Sequence, residues 1–396
     1  MPEVLSPADA LYRFLSADPG QWQQLAPRVV RAVGQEQLLR IVDSTREQIG
    51  EFADVSDSPD GLVVRGSSGQ VLAWARTAGD GTIAGLLIDG APYRRPPVRI
   101  PLAVRLFISF AIWAVLIAYG IWSCWTCATI SDWLIAAFGT IVGYLLFEGY
   151  GEPAALPPWV RRPLEAGILL VPASVQRLRH LPFGHSLGGV YIAVLLLVGV
   201  TALLVKRRRH SWGAALSEPL AFPFRDGIWY VGQGGGRSLN HHFSIPEQRG
   251  ALDLVALLPA GGSRRSGKGL DAYVAYGAKL YSPCGGVVVS AADGLPDQEP
   301  GLSRYGPLYG NHVVIDTGRE LVKLAHLRPG SVQVTTGQTV ETGQLLGEVG
   351  NSGNTSEPHL HIHAERDGLG LDLKFVGIPG HYYRGRKILT RAGAAE

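Results

Sequence analysis

Three continuous apolar runs stand out along the chain, at about Leu106–Trp122, Trp133–Tyr150 and Gly188–Val205. Each approaches the ~20 residues that a helix needs to cross a bilayer. Their edges carry Arg99 and Arg105, Trp122 and Trp125, Trp133, and Lys206–Arg209, the aromatic and basic residues that collect at membrane interfaces. The pattern predicts three transmembrane helices within a membrane region spanning 99–210. A further apolar stretch, Gly167–Val175, is only about ten residues long, too short to span, and is expected in a loop or at an interface.

The two flanking regions alternate differently. In residues 1–98, apolar positions recur at three- and four-residue spacing over Ser6–Phe14 and Ala26–Ile49, then give way to strand-like Gly61–Val64, Val71–Arg76 and Thr82–Leu87, separated by Gly-Ser and Gly-Asp-Gly turns. Helices first and sheet afterwards predict a soluble α+β module. Residues 217–396 are glycine-rich. Short segments at Val287–Ser290, His312–Asp316, Leu321–His326, Leu345–Val349 and His359–His363 predict an all-β domain, so the fold class is multi-domain.

Composition supports the membrane assignment: 46% of residues are hydrophobic, 17% are charged, and the mean hydropathy is +0.13. A net charge of +3, with no basic stripe interleaved by aromatics, gives no reason to expect a nucleic-acid partner. The three cysteines, Cys124, Cys127 and Cys284, are too few and too scattered for a disulfide framework. Met1–Leu15 lacks a basic start followed by an apolar block, so no secretory leader is expected there.

The candidate chemistry lies in the β region. Pro358-His359-Leu360-His361-Ile362-His363 reads as a strand, in which residues two apart share a face. His359 and His361 can therefore present imidazoles to one site while Leu360 and Ile362 pack beneath. His363 is either a third contributor or a residue beyond the rim. Upstream, Asn240-His241-His242 precedes Gln248-Arg249-Gly250-Ala251-Leu252-Asp253, and His326 ends a strand in Ala325-His326-Leu327. Two imidazoles and a carboxylate suit a zinc ion with its fourth position open.

These pieces, together with Gly310-Asn311-His312-Val313-Val314-Ile315-Asp316, Val340–Gly347 and Gly350-Asn351-Ser352-Gly353, occur in the order found in lysostaphin-like peptidases, and residues from about 220 to 396 resemble peptidase family M23. The resemblance implies a Zn²⁺ held by Asp253, His361 and an upstream histidine, with His326 and His359 as catalytic histidines. It implies a zinc metallopeptidase whose substrate is the peptide cross-bridge of bacterial peptidoglycan. One position departs from the family pattern: Arg249 stands four residues before Asp253, where the first ligand is usual. His242 is the expected replacement, with His241 the alternative. A catalytically inactive wall-binding module is the competing reading. In the N-terminal region, Gly79–Leu87 resembles part of the cystatin-like modules of exported hydrolases and implies a binding or spacer role.

Two motifs are set aside. Gly184-His185-Ser186-Leu187-Gly188 has the G-x-S-x-G form of a hydrolase nucleophile elbow, but no core strand is expected before it. Cys284 is expected to be a packing residue. For orientation, Arg94, Arg95, Arg99 and Arg105 before the first run, and no Lys or Arg in Ser123–Asp132, place the N-terminal module in the cytoplasm. Residues 151–187 would then be cytoplasmic and the C-terminal domain extracytoplasmic. Lys206–Arg209 oppose that assignment, and a fourth crossing through Gly167–Val175 would put them inside along with the C-terminal domain, but ten apolar residues are too few to cross a ~30 Å core.

Overall fold

In a computed structural model, residues 5–58, 61–88, 102–150, 156, 158–238, 240–301 and 308–390 are described. Arg94, Arg95 and Arg99, used above for orientation, lie outside them, as does the side chain of Arg105. The chain forms two compact units, Met1–Arg99 with Lys279–Pro358, and Ile100–Ala278 with His359–Glu396.

The first unit begins with α1 (Pro7–Ser16), whose start is capped by Ser6 accepting a hydrogen bond from the Asp9 N–H. The short α2 (Trp22–Leu25) follows, then α3 (Pro27–Val33) and α4 (Gln35–Ile49). The single helix expected over Ala26–Ile49 is thus two, divided at Gly34, whose φ of 86° a helix cannot contain. Four strands, β1 (Phe52–Ser58), β2 (Gly61–Gly66), β3 (Gln70–Thr77) and β4 (Ile83–Ile88), form an antiparallel meander in chain order. Leu11, Phe14, Trp22, Leu38, Ile41, Val64 and Ile88 fill the core between helices and sheet.

In the second unit a helical layer comes first. α5 (Leu102–Thr126) and α6 (Ile130–Tyr150) form an antiparallel hairpin: Trp113 meets Phe147, Gly120 meets Thr140, and Cys124 packs with Trp133 and Ala137. The chain then breaks into α7 (Pro158–Gly167), α8 (Leu170–Ala173) and a 3-10 turn (Ser174–His180) before α9 (Leu187–Arg208). Among the described residues, α6 and α9 are long and apolar enough to cross a membrane, and α5 contributes the shorter apolar stretch Phe110–Thr126.

The direction of α9 bears on the path of 151–187. Gly189 packs on Ile135, and Gly149 lies against Leu204 and Arg207, so α9 runs parallel to α6. A segment staying at one end of the layer would have made the two antiparallel. Instead, Gly167 lies beside Ile121, and the Ile130 N–H donates to the Pro182 carbonyl.

The exit from α9 is tightly held. The Arg207 guanidinium donates to the carbonyls of Gly149 and Arg384. The Asp372 carboxylate accepts from Ser211 Oγ at 2.6 Å, from the Trp212 N–H at 2.9 Å and from the Gly213 N–H at 3.1 Å.

The rest of the chain is β. β5 (Gly227–Gln233) and β6 (Leu252–Leu257) belong to the second unit, and β7 (Lys279–Tyr281), β8 (Gly286–Ala292), β9 (Asn311–Asp316), β10 (Leu321–Leu327), β11 (Thr339–Val340) and β12 (Leu345–Glu348) to the first. β13 (Leu360–Arg366), β14 (Leu369–Gly370) and β15 (Lys387–Thr390) return to the second. In the first unit the antiparallel order is β11-β8-β9-β10, with β7 and β12 paired separately; in the second it is β14-β13-β6-β5-β15. All five strands expected from the C-terminal pattern are present.

Candidate metal centre

The centre is built on the pairing of β13 with β6. These strands are antiparallel, with Leu360, His361 and Ile362 opposite Leu254, Asp253 and Leu252. Strand alternation sends Leu360 and Ile362, both fully buried, into the core and His361 to the other face beside Asp253. His361 Nδ1 lies 3.0 Å from Asp253 Oδ1. His359, one position before β13 and on the same face, brings Nε2 to 3.6 Å from that oxygen.

The third group arrives from a loop. Residues His241–Ser244 and Pro246–Gln248 form two 3-10 turns. Asn240 caps the first: its Oδ1 accepts from the His242 N–H at 3.0 Å, and its Nδ2 donates to the Arg249 carbonyl at 3.0 Å. This clamps the loop and points His242 inward, with Nε2 at 3.0 and 3.1 Å from the two Asp253 oxygens. His241 Nε2 comes only to 3.9 Å of Asp253, and its side chain is 65% exposed, against 9% for His242. His241, His242 and Asp253 present ligand atoms within 4.8 Å of one another, and the buried imidazole is the better directed of the two.

Arg249 points away from this cluster. Its Nε donates to the Gly370 carbonyl at 2.9 Å and its guanidinium lies over the Trp212 ring. The adjoining Gly250 admits no side chain, since a Cβ there would fall 1.9 Å from the Leu371 carbonyl oxygen. Arg249 and Gly250 therefore fasten the loop to the segment after β13, and the imidazole beside Asp253 comes from further upstream.

Behind the centre, His361 Nε2 lies 2.9 Å from Nδ1 of the fully buried His363. Of the two places the sequence left open for His363, the structure gives it contact with a member of the centre, from behind. No local pattern signals this contact except the third alternate histidine itself. The sequence marked Asn240 only as part of Asn240-His241-His242 and not for its capping role, although an Asn before a short turn is a recognisable cap.

The electrostatics suit a cation. Burial pushes the Asp253 carboxyl upward, but the charges of His242 and His359 and hydrogen bonds from His242 and His361 outweigh it and hold the group well below the usual carboxylate range. Burial, followed by the charge of His242, pushes His361 down to about 4. Ionised carboxylate and neutral imidazole are the states in which these groups bind a metal. Ligand atoms around a tetrahedral zinc sit about 3.3 Å apart, given bonds of about 2.0–2.1 Å. The Asp253 separations of 3.0–3.1 Å from His242 and His361 fit that set.

His326 belongs to the first unit. The register of β10 on β9 slips between Ala325 and Leu327, leaving His326 as a bulge residue with a φ of 68°, a conformation rare outside glycine. Its Nδ1 lies 2.9 Å from the Ser352 carbonyl oxygen. Ser352 is fixed in turn by its Oγ donating to the Leu327 carbonyl at 2.7 Å. The Gly-Asn-Ser-Gly loop noted in the sequence thus orients this imidazole.

The sequence matches Peptidase family M23 across residues 265–373. The C-terminal domain belongs to that family. The M23 match takes in His326, His359 and His361 but begins after His242 and Asp253. Peptidoglycan DD-endopeptidase ShyC of Vibrio cholerae is 31% identical over 124 residues, 31% of this chain and 25% of the relative. An L-Ala--D-Glu endopeptidase of Bacillus subtilis is 33% identical over 126 residues, 30% of this chain and 35% of the relative. The chain therefore spans about a quarter to a third of the length of these curated relatives. Among solved structures, a zinc-containing peptidase from Vibrio cholerae is 20% identical, with 41% of each chain covered and a TM-score of 0.28.

The motifs set aside lack the context that their chemistry needs. Ser186 directly precedes α9 and follows a 3-10 turn and an extended link, without the core strand of a nucleophile elbow. Burial, then the charge of Glu320, pushes the Cys284 thiol up to about 12, which leaves no thiolate at neutral pH.

Proposed function

We propose that the chain is a membrane-anchored zinc metalloendopeptidase that hydrolyses peptide cross-links of bacterial peptidoglycan, with its catalytic domain facing the wall. The observation carrying this reading is the convergence of His242, His359 and His361 on the buried Asp253 carboxylate, in a domain of a peptidase family. His242, Asp253 and His361 hold the metal. A zinc ion there would supply Lewis-acid polarisation of the scissile carbonyl and a water of lowered pKa.

The chain's own groups do the rest. His359 accepts a proton from the attacking water as its oxygen bonds to the carbonyl carbon, then returns it to the amine as the C–N bond breaks. His326, with Nδ1 directed at the Ser352 carbonyl, offers Nε2 to the tetrahedral oxyanion. The proposed anchors are the runs at 106–122, 133–150 and 188–205, between a soluble module at 1–98 and a peptidase domain at 217–396. A spacer or ligand-binding role for the N-terminal module rests on its cystatin-like resemblance.

Arg249 favours the second reading, an inactive wall-binding module, because it occupies the usual place of the first ligand. Full-length protein purified in detergent decides between the two when assayed for zinc content and for release of new amino termini from purified peptidoglycan. One zinc per chain with release supports the enzyme. Binding to wall material with no release from any cross-bridge type replaces it with the binding module.

A further inference from the structure

We infer that the helical layer carries the chain across the membrane an even number of times, so that everything before Leu102 and everything after Arg208 opens on one face. This rests on the membrane part of the reading above and not on the peptidase part.

The argument follows the helix contacts. α5 and α6 are antiparallel and joined by the short link 127–129, so the start of α5 and the end of α6 share the end of the layer opposite that link. The parallel α9 starts at the link end, where Gly184 meets Thr129 and Ser131, and finishes at the open end, where Arg207 meets Gly149. The chain leaves α6 at the open end and must begin α9 at the link end. The broken segment 158–180 makes that passage.

Its contacts trace the route. The Arg161 guanidinium lies 3.6 Å from the position of a Cβ on Gly261, in the loop after β6, whereas Gly167 lies beside Ile121. Trp125 Nε1 then donates to the Leu170 carbonyl at 3.1 Å, and Trp133 Nε1 to Ser174 Oγ at 2.9 Å. At the link itself Arg177 donates to the carbonyls of Cys124 at 2.9 Å and Cys127 at 3.1 Å. The break falls between α7 and α8, where Pro172 withholds an N–H from the helical ladder, whereas Pro163 is accommodated inside α7. Irregular backbone is tolerated at membrane depth where neighbouring protein holds it; here Trp125 bonds the Leu170 carbonyl of the segment, and Arg177 reaches out of the segment to the carbonyls that end α5.

Two consequences follow. The N-terminal module works in the compartment of the peptidase strands, and any ligand it takes comes from that compartment. The open end also gathers Arg161, Arg162 and Lys206–Arg209, against Arg177 and Arg179 at the link end. That charge bias favours a cytoplasmic open end, whereas a wall substrate requires an external one. The same-face arrangement holds in either case.

Epitope tags on the full-length chain test this, placed at the N-terminus, between Ala128 and Thr129, and at the C-terminus, with antibody accessibility compared in intact and lysed spheroplasts. The expected result is that both terminal tags are accessible together and the internal tag is of opposite accessibility. Terminal tags on opposite faces overturn the inference, as does recovery of the whole protein in the soluble fraction. Both terminal tags inside the cell would keep the inference and remove the wall substrate from the proposed function.

Discussion

His361 stands directly opposite Asp253 on the neighbouring antiparallel strand, its Nδ1 3.0 Å from the carboxylate oxygen. Two proposed ligands are thus placed by a backbone ladder, and a slip of one residue would send one of them to the other face. The third, His242, depends on a capped loop. This difference in support organises the expected effects of substitution.

Asp253→Ala and His361→Ala are each expected to lower zinc from about one per chain to near zero, because an incomplete ligand set binds weakly. Elemental analysis of full-length protein in detergent measures this directly. His242→Ala should lose more zinc than His241→Ala; the reverse order would assign the loop ligand to His241.

His359→Ala and His326→Ala should keep their zinc and lose peptidoglycan hydrolysis by about two to four powers of ten, the range for removing a proton-transfer group or an oxyanion donor. Loss of zinc from either variant would make that residue part of the metal's support. Ser186→Ala should leave the rate unchanged.

His363→Ala should weaken zinc binding about 10- to 100-fold, as measured by chelator competition, because a group behind a ligand fixes its tautomer and orientation. His363→Asn can place an amide oxygen near the present Nδ1 and should recover part of the affinity. Equal affinity in wild type and both variants would reduce His363 to a packing residue.

Asn240→Ala removes the cap on the His241–Ser244 turn and should cost about 1 kcal/mol of stability, together with weaker zinc binding through a less ordered His242. Asn240→Asp retains an oxygen for the His242 N–H and should restore much of both. Thermal unfolding in the presence and absence of chelator separates the two effects.

The alternation in His359-Leu360-His361 was legible because a strand's period of two is written into the residue types. Asp253 was marked by the resemblance to lysostaphin-like peptidases, through the Gln-Arg-Gly-Ala-Leu-Asp stretch that ends on it. The bulge at His326 was not, since it depends on how β10 meets β9. β1 was missed because Phe52–Ser58 contains few apolar residues and pairs on one side only. The single break at Gly34 was hidden inside a helical pattern that runs on through it. The path of 151–187 was not legible for a different reason: its apolar stretch is too short for a free helix to span, and nothing local reveals that Trp125 will bond the Leu170 carbonyl or Arg177 the carbonyls that end α5.

The Asp372 clamp on residues 211–213, together with Arg207 gripping both Gly149 and the Arg384 carbonyl, leaves no slack between α9 and the strands that follow. A flexible tether would let a hydrolase sweep a volume that grows with tether length. If the chain is the membrane-anchored hydrolase proposed above, mounting without one would confine it to a shell no deeper than its own height above the lipid. The bonds within range would then belong to wall material at the membrane surface, and outlying layers of a thick wall would lie beyond it.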